Sequence, residues 1–277
     1  MKRIIVPIDF SVYSENALKS AAYLAKKYDA EILAVHMLEL SNAIVSRSES
    51  YAQEETLFLY KLAENRFNEF LDKSYLEGLS ITPIIKHFKI FSEIDQLARE
   101  EKADLIVMGS QGSSGIKELI IGSNTEKVIR YAHIPVLVVK DVPIEASFKK
   151  VVFACDFSDD DLTAYQDVKN FCQSMDCELN LVYVTTPNGR FKSTEEITQK
   201  LSKFINKAHE SIELLENVKI IADYSVEEGV LYYANTVHAD AIVLATHGRK
   251  GIAHFFEGSI TEDIANHSQL PVMTFKI

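Results

Sequence analysis

The sequence predicts an α/β protein of two tandem domains, each a parallel sheet wrapped on both faces by helices. Three observations predict it. Short apolar runs rich in Val, Ile and Leu alternate with segments of helical periodicity, the pattern of successive β-α-β units with right-handed crossovers. The runs are apolar at nearly every position, as strands buried on both faces must be. The pattern is also written twice. Ala103–Lys140 and Ala239–Lys276 align without a gap, with 14 of 38 positions identical, where ordinary composition gives roughly two or three. The starts repeat as well, Ile4-Ile-Val-Pro-Ile-Asp-Phe-Ser11 against Val151-Val-Phe-Ala-Cys-Asp-Phe-Ser158.

In chain order, Lys2–Ile8 reads as a buried strand and Asp9-Phe10-Ser11 as its exit. Ala17, Ala21, Ala22 and Ala25 recur at helical spacing and predict a helix over 14–28. Residues 32–37 form the second strand, and 39–50, with few hydrophobic anchors, read as a loop. Leu57, Tyr60, Leu62, Phe67, Phe70 and Leu71 mark a long amphipathic helix ending near Gly78. A third strand over 81–88, a third helix over 90–101 and a fourth strand at Leu105–Met108 follow. A glycine loop, a helix opening at Gly122-Ser123-Asn124 and a strand at Val136–Lys140 close the unit.

Asp141–Lys149, containing Pro143, is the linker, which places the domains at 1–143 and 144–277. The second domain repeats the order, with strands near 150–155, 178–184, 218–223, 241–246 and 272–276. Its middle is 11 residues shorter, because the offset between copies falls from 147 to 136. The deficit is expected in the loop and helix around Thr185–Thr194.

With 47% hydrophobic and 25% charged residues, the composition is that of a soluble globular protein. No apolar run reaches bilayer length and a strand pattern is under way by residue 4, so neither a membrane span nor a signal peptide is expected and the expected location is cytoplasmic. Cys155, Cys172 and Cys177 all lie in the second half and suit reduced core thiols better than a disulfide framework. A net charge of −11 argues against nonspecific nucleic-acid binding.

The chemistry concentrates in 104–124. A strand ends at Gly109, a loop carries Gly112 and Gly115, and a helix opens at Gly122. Glycines permit close backbone approach, and the N–H groups and dipole of a helix N-terminus favour an anion. The bland alternative is a connection that binds nothing. Against it, the second copy keeps Gly112/Gly248, Gly115/Gly251, Gly122/Gly258, Ser123/Ser259, Thr125/Thr261, Glu126/Glu262 and Pro135/Pro271. The eight histidines show no metal spacing, no Walker lysine is present, and no nucleophile–base–acid set can be assembled. No catalytic residue and no metal ligand is therefore expected. His36 reads as a satisfied core or strand-end histidine, and His247 and His254 lie in the second glycine loop.

Gly109-x2-Gly112-x9-Gly122-Ser123, together with Pro7-Ile-Asp-Phe-Ser11, the Val35-His36 strand end and Pro135-Val-Leu-Val-Val-Lys140, resembles the universal stress protein family. The resemblance spans nearly the whole chain and occurs in both halves. It implies a Rossmann-like, doubly wound sheet of strand order 3-2-1-4-5, with a ligand crevice between strands one and four. It implies ATP or another adenine nucleotide, with or without Mg²⁺. Asp9 would contact ribose, and backbone near Ile8 and Met37 the adenine edge. Gly109, Ser110 and Gly112 would line the ribose-phosphate path, and Gly122, Ser123 and Asn124 would hold the distal phosphates. Asp9 also reads as a capping or turn aspartate, and Ser123 as the N-cap of its helix. Gln111 stands where the family often has histidine or arginine.

The second site would use Asp156, Val184, Gly248, Gly258 and Ser259, with Arg249-Lys250 adding charge. Ala245 replaces its first glycine, and the methyl group is expected to push against the ligand and weaken binding. The implied function is a stress-response regulator, non-enzymatic or slowly hydrolysing ATP. Alternatives are an adenine-nucleotide α-hydrolase type of enzyme, which needs a Ser/Gly-rich loop where this chain has Asp9-Phe-Ser-Val-Tyr-Ser14, and an interaction scaffold without ligand. Family members pair through the closing strand. The apolar Pro135–Val139 and Pro271–Phe275 therefore imply a pseudo-twofold pair of domains, with association of two chains as a further step.

Overall fold

The computed structural model describes residues 1–38, 49–87, 90–111, 122–187, 191–246 and 260–277. It divides into two compact units, Met1–Glu145 and Ala146–Ile277.

Unit 1 runs β1 (Arg3–Pro7), α1 (Val12–Tyr28), β2 (Glu31–Leu38), α2 (Glu49–Leu71), a single 3₁₀ turn (Ser74–Leu76), β3 (Ile81–His87), α3 (Ile90–Glu100), β4 (Leu105–Gly109), α4 (Ser123–Tyr131) and β5 (Val136–Val139). All pairings are parallel, in the order β3-β2-β1-β4-β5. Ile4, Ile5 and Val6 in β1, Leu105–Val107 in β4 and Val136–Val139 in β5 are all buried. Sheet faces covered on both sides explain why these strands read as unbroken apolar runs. Pro83 sits in the outermost strand, where a missing N–H is tolerated.

One aspartate fixes the register at the start of each sheet. Asp104 Oδ2 accepts the N–H of Lys2 and of Arg3 (2.5 and 3.0 Å), and in the second unit Asp240 Oδ2 accepts Lys149 and Lys150 (2.7 and 2.8 Å).

α1 is small-sided, and Ala17, Ala21 and Ala25 let it lie close on the sheet. Ser11 caps its N-terminus by accepting the Ser14 N–H, and Asp29 ends it in the left-handed region at φ 53. The apolar stripe expected on α2 is narrower than its sequence implies. Ala63 and Phe67 are buried, while Leu57 and Leu62 are exposed. The expected loop over 39–50 lies outside the described residues, apart from its last two positions, which already belong to α2.

Unit 2 runs β6 (Lys150–Ala154), α5 (Asp161–Met175), β7 (Glu178–Thr185), α6 (Thr194–Lys207), a short α7 (Leu214–Asn217), β8 (Val218–Ala222), α8 (Val226–Thr236), β9 (Ala241–Thr246), α9 (Ile260–His267) and β10 (Val272–Lys276). Its parallel order is β8-β7-β6-β9-β10, the same 3-2-1-4-5 winding. The missing residues are largely helix. α6 has 14 residues where its counterpart α2 has 23. Ser193 and Glu196 form a capping box that starts this shorter helix. All three cysteines are free thiols, with Cys172 buried.

Candidate nucleotide site

In a sheet wound this way the crevice opens at the C-terminal ends of β1 and β4, where the order reverses. In unit 1, β1 leads into a sharp turn. Asp9 Oδ1 accepts both the N–H and the hydroxyl of Ser11 (3.0 and 2.5 Å), the two-residue closure typical of an Asx turn. Between them Phe10 adopts φ 63, and its counterpart Phe157 adopts φ 56. A bulky residue in the left-handed region is strained, and such strain persists only where surroundings enforce it. The Phe10 ring is held by His36 at 4.6 Å, Phe67 at 5.4 Å, Phe70 at 5.5 Å and the Arg66 guanidinium at 5.2 Å. Asp9 is thus a turn aspartate, and it is half-buried.

His36 is a satisfied strand-end histidine. Its Nδ1 bonds the Ile8 carbonyl at 2.8 Å, and burial lowers its pKa, so the ring is neutral at pH 7 and Nδ1 is the donor. The Ile8 N–H is taken by the Val35 carbonyl at 2.7 Å. Ile8 and Met37 are both buried, at 3% and 8% exposure.

The end of β4 meets the start of α4. Gly122 donates its N–H to the Ser110 carbonyl at 2.8 Å, and Ser110 donates to Val139 at 3.0 Å. The Thr125 hydroxyl bonds the Gly109 carbonyl at 2.9 Å, pinning the first turn of α4 to the strand. Sequence reasoning noted Thr125 only as a shared residue; its match with Thr261 was the available signal.

The N-cap of α4 is Gly122, with no side-chain cap, so Ser123 is the first helical residue and not the cap expected of it. The first intrahelical bond is Glu126 N–H to Gly122. Helix geometry thus leaves the N–H groups of Ser123, Asn124 and Thr125 without an intrahelical acceptor. The structure therefore brings Gly109, Ser110, Gly122, Ser123 and Asn124 together. Gly112 lies outside the described residues, as do Gly248, Gly258, Ser259, Arg249, Lys250, His247 and His254 in unit 2.

Gly109 has a purpose other than ligand clearance. A Cβ there would lie 2.7 Å from the Tyr13 carbonyl oxygen and 2.8 Å from both its carbonyl carbon and its Cβ. The glycine makes room for the first turn of α1. This gives the glycine a packing reason that stands beside any role in ligand approach. In unit 2 the counterpart of Tyr13 is Asp160. There α5 begins only at Asp161, two residues later than α1 by the repeat, after a looser turn with Asp161 N–H to Ser158 at 3.2 Å. Ala245, at the counterpart of Gly109, is half-exposed.

The comparisons follow this geometry. The universal stress protein family pattern matches residues 1–140 and again 147–276. The chain belongs to the universal stress protein family. It is 35% identical over 146 residues to Universal stress protein MJ0531 of Methanocaldococcus jannaschii, covering 50% of this chain and 82% of that one. It is 32% identical over 149 residues to Universal stress protein G of Escherichia coli O157:H7, covering 50% of this chain and 99% of the relative. A universal stress protein structure from Archaeoglobus fulgidus shares the fold over 99% of this chain and 96% of its own, with a TM-score of 0.65 at 20% identity.

The two universal stress protein units differ where ligand chemistry would fall. In unit 2, Asp156 Oδ1 accepts the Ser158 N–H at 2.8 Å, and Asp161 Oδ2 accepts the same N–H and the hydroxyl at 3.0 and 3.1 Å. Asp161 is buried and hydrogen-bonds Asp156; burial first, and then that neighbour, pushes its carboxyl up to about 7. Lys200 reaches from α6 to Asp156 at 3.4 Å, lying 5.7 Å from the Tyr183 ring centroid. A Cβ on Gly229 of α8 would come 2.7 Å from Val184, so α8 lies tightly against β7 at that residue. At the phosphate end, the first turn of α9 carries Glu262 and Asp263, whereas that of α4 carries Glu126 followed by Lys127. By the repeat, Asp263 stands where unit 1 has Lys127.

Proposed function

We propose that this chain is an adenine-nucleotide-binding regulatory protein of the stress response, in which unit 1 takes ATP and unit 2 binds it weakly or not at all. The observation that carries the reading is the meeting of Ser110 and Gly122 at the head of α4, a helix N-terminus with no side-chain cap. Such an end offers backbone N–H groups and a partial positive charge to phosphate oxygens. On this reading the N–H groups of Ser123 and Asn124 hold the distal phosphates, with Mg²⁺ as counter-ion where the nucleotide brings one. Gly112 lies along the ribose-phosphate path, Asp9 accepts from ribose, and Met37 lies against the adenine edge. Ile8 serves there as apolar wall, since Val35 and His36 already engage its N–H and carbonyl.

Unit 2 carries the same elements with opposing charge. The Lys127-to-Asp263 difference changes the first turn by two charges, and Lys200 already neutralises the ribose-side carboxylate Asp156. Gly248, Gly258 and Ser259 complete the weaker site.

The role is regulatory, not catalytic. β1 runs straight into a turn capped by Ser11, with no glycine between Asp9 and Ser14 to form the pyrophosphate loop of the hydrolase alternative. Nucleotide occupancy then sets a surface for partners, and the two units pair through their closing strands β5 and β10, with a second chain able to join. No described helix is long and apolar enough to cross a membrane, and a cytoplasmic location fits this reading.

Denaturing the purified protein and chromatographing the supernatant tests it. Adenine nucleotide near one equivalent per chain is expected. Absence of nucleotide, with no heat on titrating ATP, would leave the scaffold reading. Turnover above roughly 1 s⁻¹, ordinary for enzymes, would favour the hydrolase.

A further inference from the structure

The end of α5 holds a chemical group that the nucleotide reading does not use. The helix stops at Asp176, left-handed at φ 55, and two reverse bonds close it: Asp176 N–H to Gln173 at 3.3 Å and Cys177 N–H to Cys172 at 3.0 Å. These are the paired bonds of a Schellman motif, which brings the side chains at its two outer positions into contact. Here both outer positions are cysteine.

Among the described residues the same outer bond closes Ala25 to Ala30 at 3.1 Å, Ala98 to Ala103 at 2.9 Å and Ala234 to Ala239 at 2.9 Å. In those three, methyl faces methyl. Between Ile205 and Glu210 it joins unlike residues at 3.1 Å. Only at Cys172 and Cys177 does sulfur stand on both sides. The repeat sharpens the point, because Cys172 and Cys177 occupy the places of Ala25 and Ala30 in unit 1. Both members of a touching pair differ together, in a chain with three cysteines among 277 residues.

We propose that Cys172 and Cys177 form a peroxide-oxidisable dithiol that closes reversibly to a disulfide within unit 2. Both are free thiols here, hydrogen-bonded to each other. A disulfide needs Cα atoms about 4.4–6.8 Å apart, a span that a reverse backbone bond between the same two residues enforces. Their exposure assigns the roles. Cys177 is half-buried and meets the oxidant, while Cys172 is 2% exposed and resolves. The contact with Cys177, then burial, push the Cys172 thiol up, so it stays protonated until its partner has reacted.

The balance is simple. Cys177 loses its proton to solvent, and its sulfur attacks one peroxide oxygen. The O–O bond breaks, releasing water and leaving a sulfenic acid. Cys172 sulfur then attacks the sulfenyl sulfur, the S–O bond breaks, and a second water carries away the remaining proton. Two thiols have given two electrons to one hydroperoxide. Cys155 is excluded, since burial and the neighbouring carboxylates Asp161 and Asp156 raise its thiol strongly.

The test uses the intact reduced chain treated with hydrogen peroxide, thiol titration and tryptic mapping. One peptide, Asn170–Arg190, contains both cysteines and excludes Cys155. Two of the three thiols should disappear, with this peptide lighter by two hydrogen atoms and restored by dithiothreitol. Cys172→Ala should instead leave a dimedone-trappable sulfenic acid at Cys177, and Cys177→Ala should leave Cys172 unreacted. Alanine already stands at both counterpart positions in unit 1, where the same motif closes with Ala30 N–H to Ala25, so the motif itself tolerates both substitutions. The proposal is overturned by a peptide that peroxide leaves unchanged, by over-oxidation of Cys177 beside a free Cys172, by a bridge to Cys155, or by Cys172 reacting equally fast in Cys177→Ala.

Discussion

Gly109→Ala isolates the packing role of the first glycine in the motif from any role in binding. The added Cβ meets the Tyr13 carbonyl oxygen at 2.7 Å, its carbonyl carbon at 2.8 Å and its Cβ at 2.8 Å. Two of these three atoms are backbone at the start of α1, so no rotamer change relieves the contact. Overpacking of this kind costs typically about 1–3 kcal/mol, which for a domain of this size lowers the melting midpoint by about 3–12 °C. Relief would require α1 to start later, as α5 does in unit 2. Tyr13→Gly added to Gly109→Ala removes only the Cβ contact and should recover a minority of the loss. Ala245→Gly in unit 2 should create or strengthen a second ATP site where its methyl obstructs ligand, and should leave the stoichiometry unchanged where packing alone selected the glycine of unit 1. Urea denaturation followed by calorimetry with ATP separates the effects. A fully stable Gly109→Ala that has lost ATP would refute the argument, because the methyl would then be acting on ligand and not on Tyr13.

Gly122→Asp sets a carboxylate at the head of α4 and should abolish the single tight ATP site read by calorimetry, leaving the urea midpoint of unit 2 unmoved. Asp263→Lys combined with Lys200→Ala should strengthen ATP binding at the second site by roughly tenfold or more, equivalent to about 1.4 kcal/mol; an unchanged stoichiometry would count against the charge argument. Asp161 gives unit 2 a pH dependence. Its folded carboxyl titrates at about 7 against an ordinary 3.8, so between those values the folded state holds a proton that the unfolded chain has lost. The stabilisation is present in acid and is lost as pH rises through about 7. Asp161→Asn should flatten that descent in urea midpoints measured from pH 4 to pH 8, and a slope equal to the parent's would reject it. Finally, separately expressed halves 1–145 and 146–277 should co-elute when mixed, and two monomer peaks would rule out pairing through the closing strands.

The strands were legible because parallel pairing buries both faces. Ile4–Val6 and Val136–Val139 have no exposed side that would call for a polar residue. Strand order, by contrast, rested on family resemblance, since periodicity says nothing about which strands are neighbours. α2 misled through composition. Leu57 and Leu62 fit a helical stripe, but among the described side chains of α2 only Ala63 and Phe67 are fully buried, and a one-dimensional pattern carries no width. At the site, the glycines were found by spacing, yet the reason for Gly109 was invisible, because it depends on Tyr13, 96 positions earlier in the chain. Asp161 was missed for a similar reason. In unit 1 its place is held by Ser14, and the later helix start that turns the carboxyl inward is a feature of the fold of unit 2 alone.

The central place of β1 also sets a timetable for synthesis. Ile4 pairs with Leu105, and the Lys2 and Arg3 amides await Asp104. At about 5–20 residues per second, the first strand leaves the ribosome roughly 5–20 s before the strand that covers its second edge. During that interval β1 can pair with β2, while its other side, Ile4 to Val6, stays open to any extended chain. Truncated products should therefore fall into two classes. Those ending before residue 105 keep an apolar edge and aggregate, whereas a fragment ending after Glu145 has every strand of its own sheet. The hazardous stretch of translation is short and closes before unit 2 has begun to emerge.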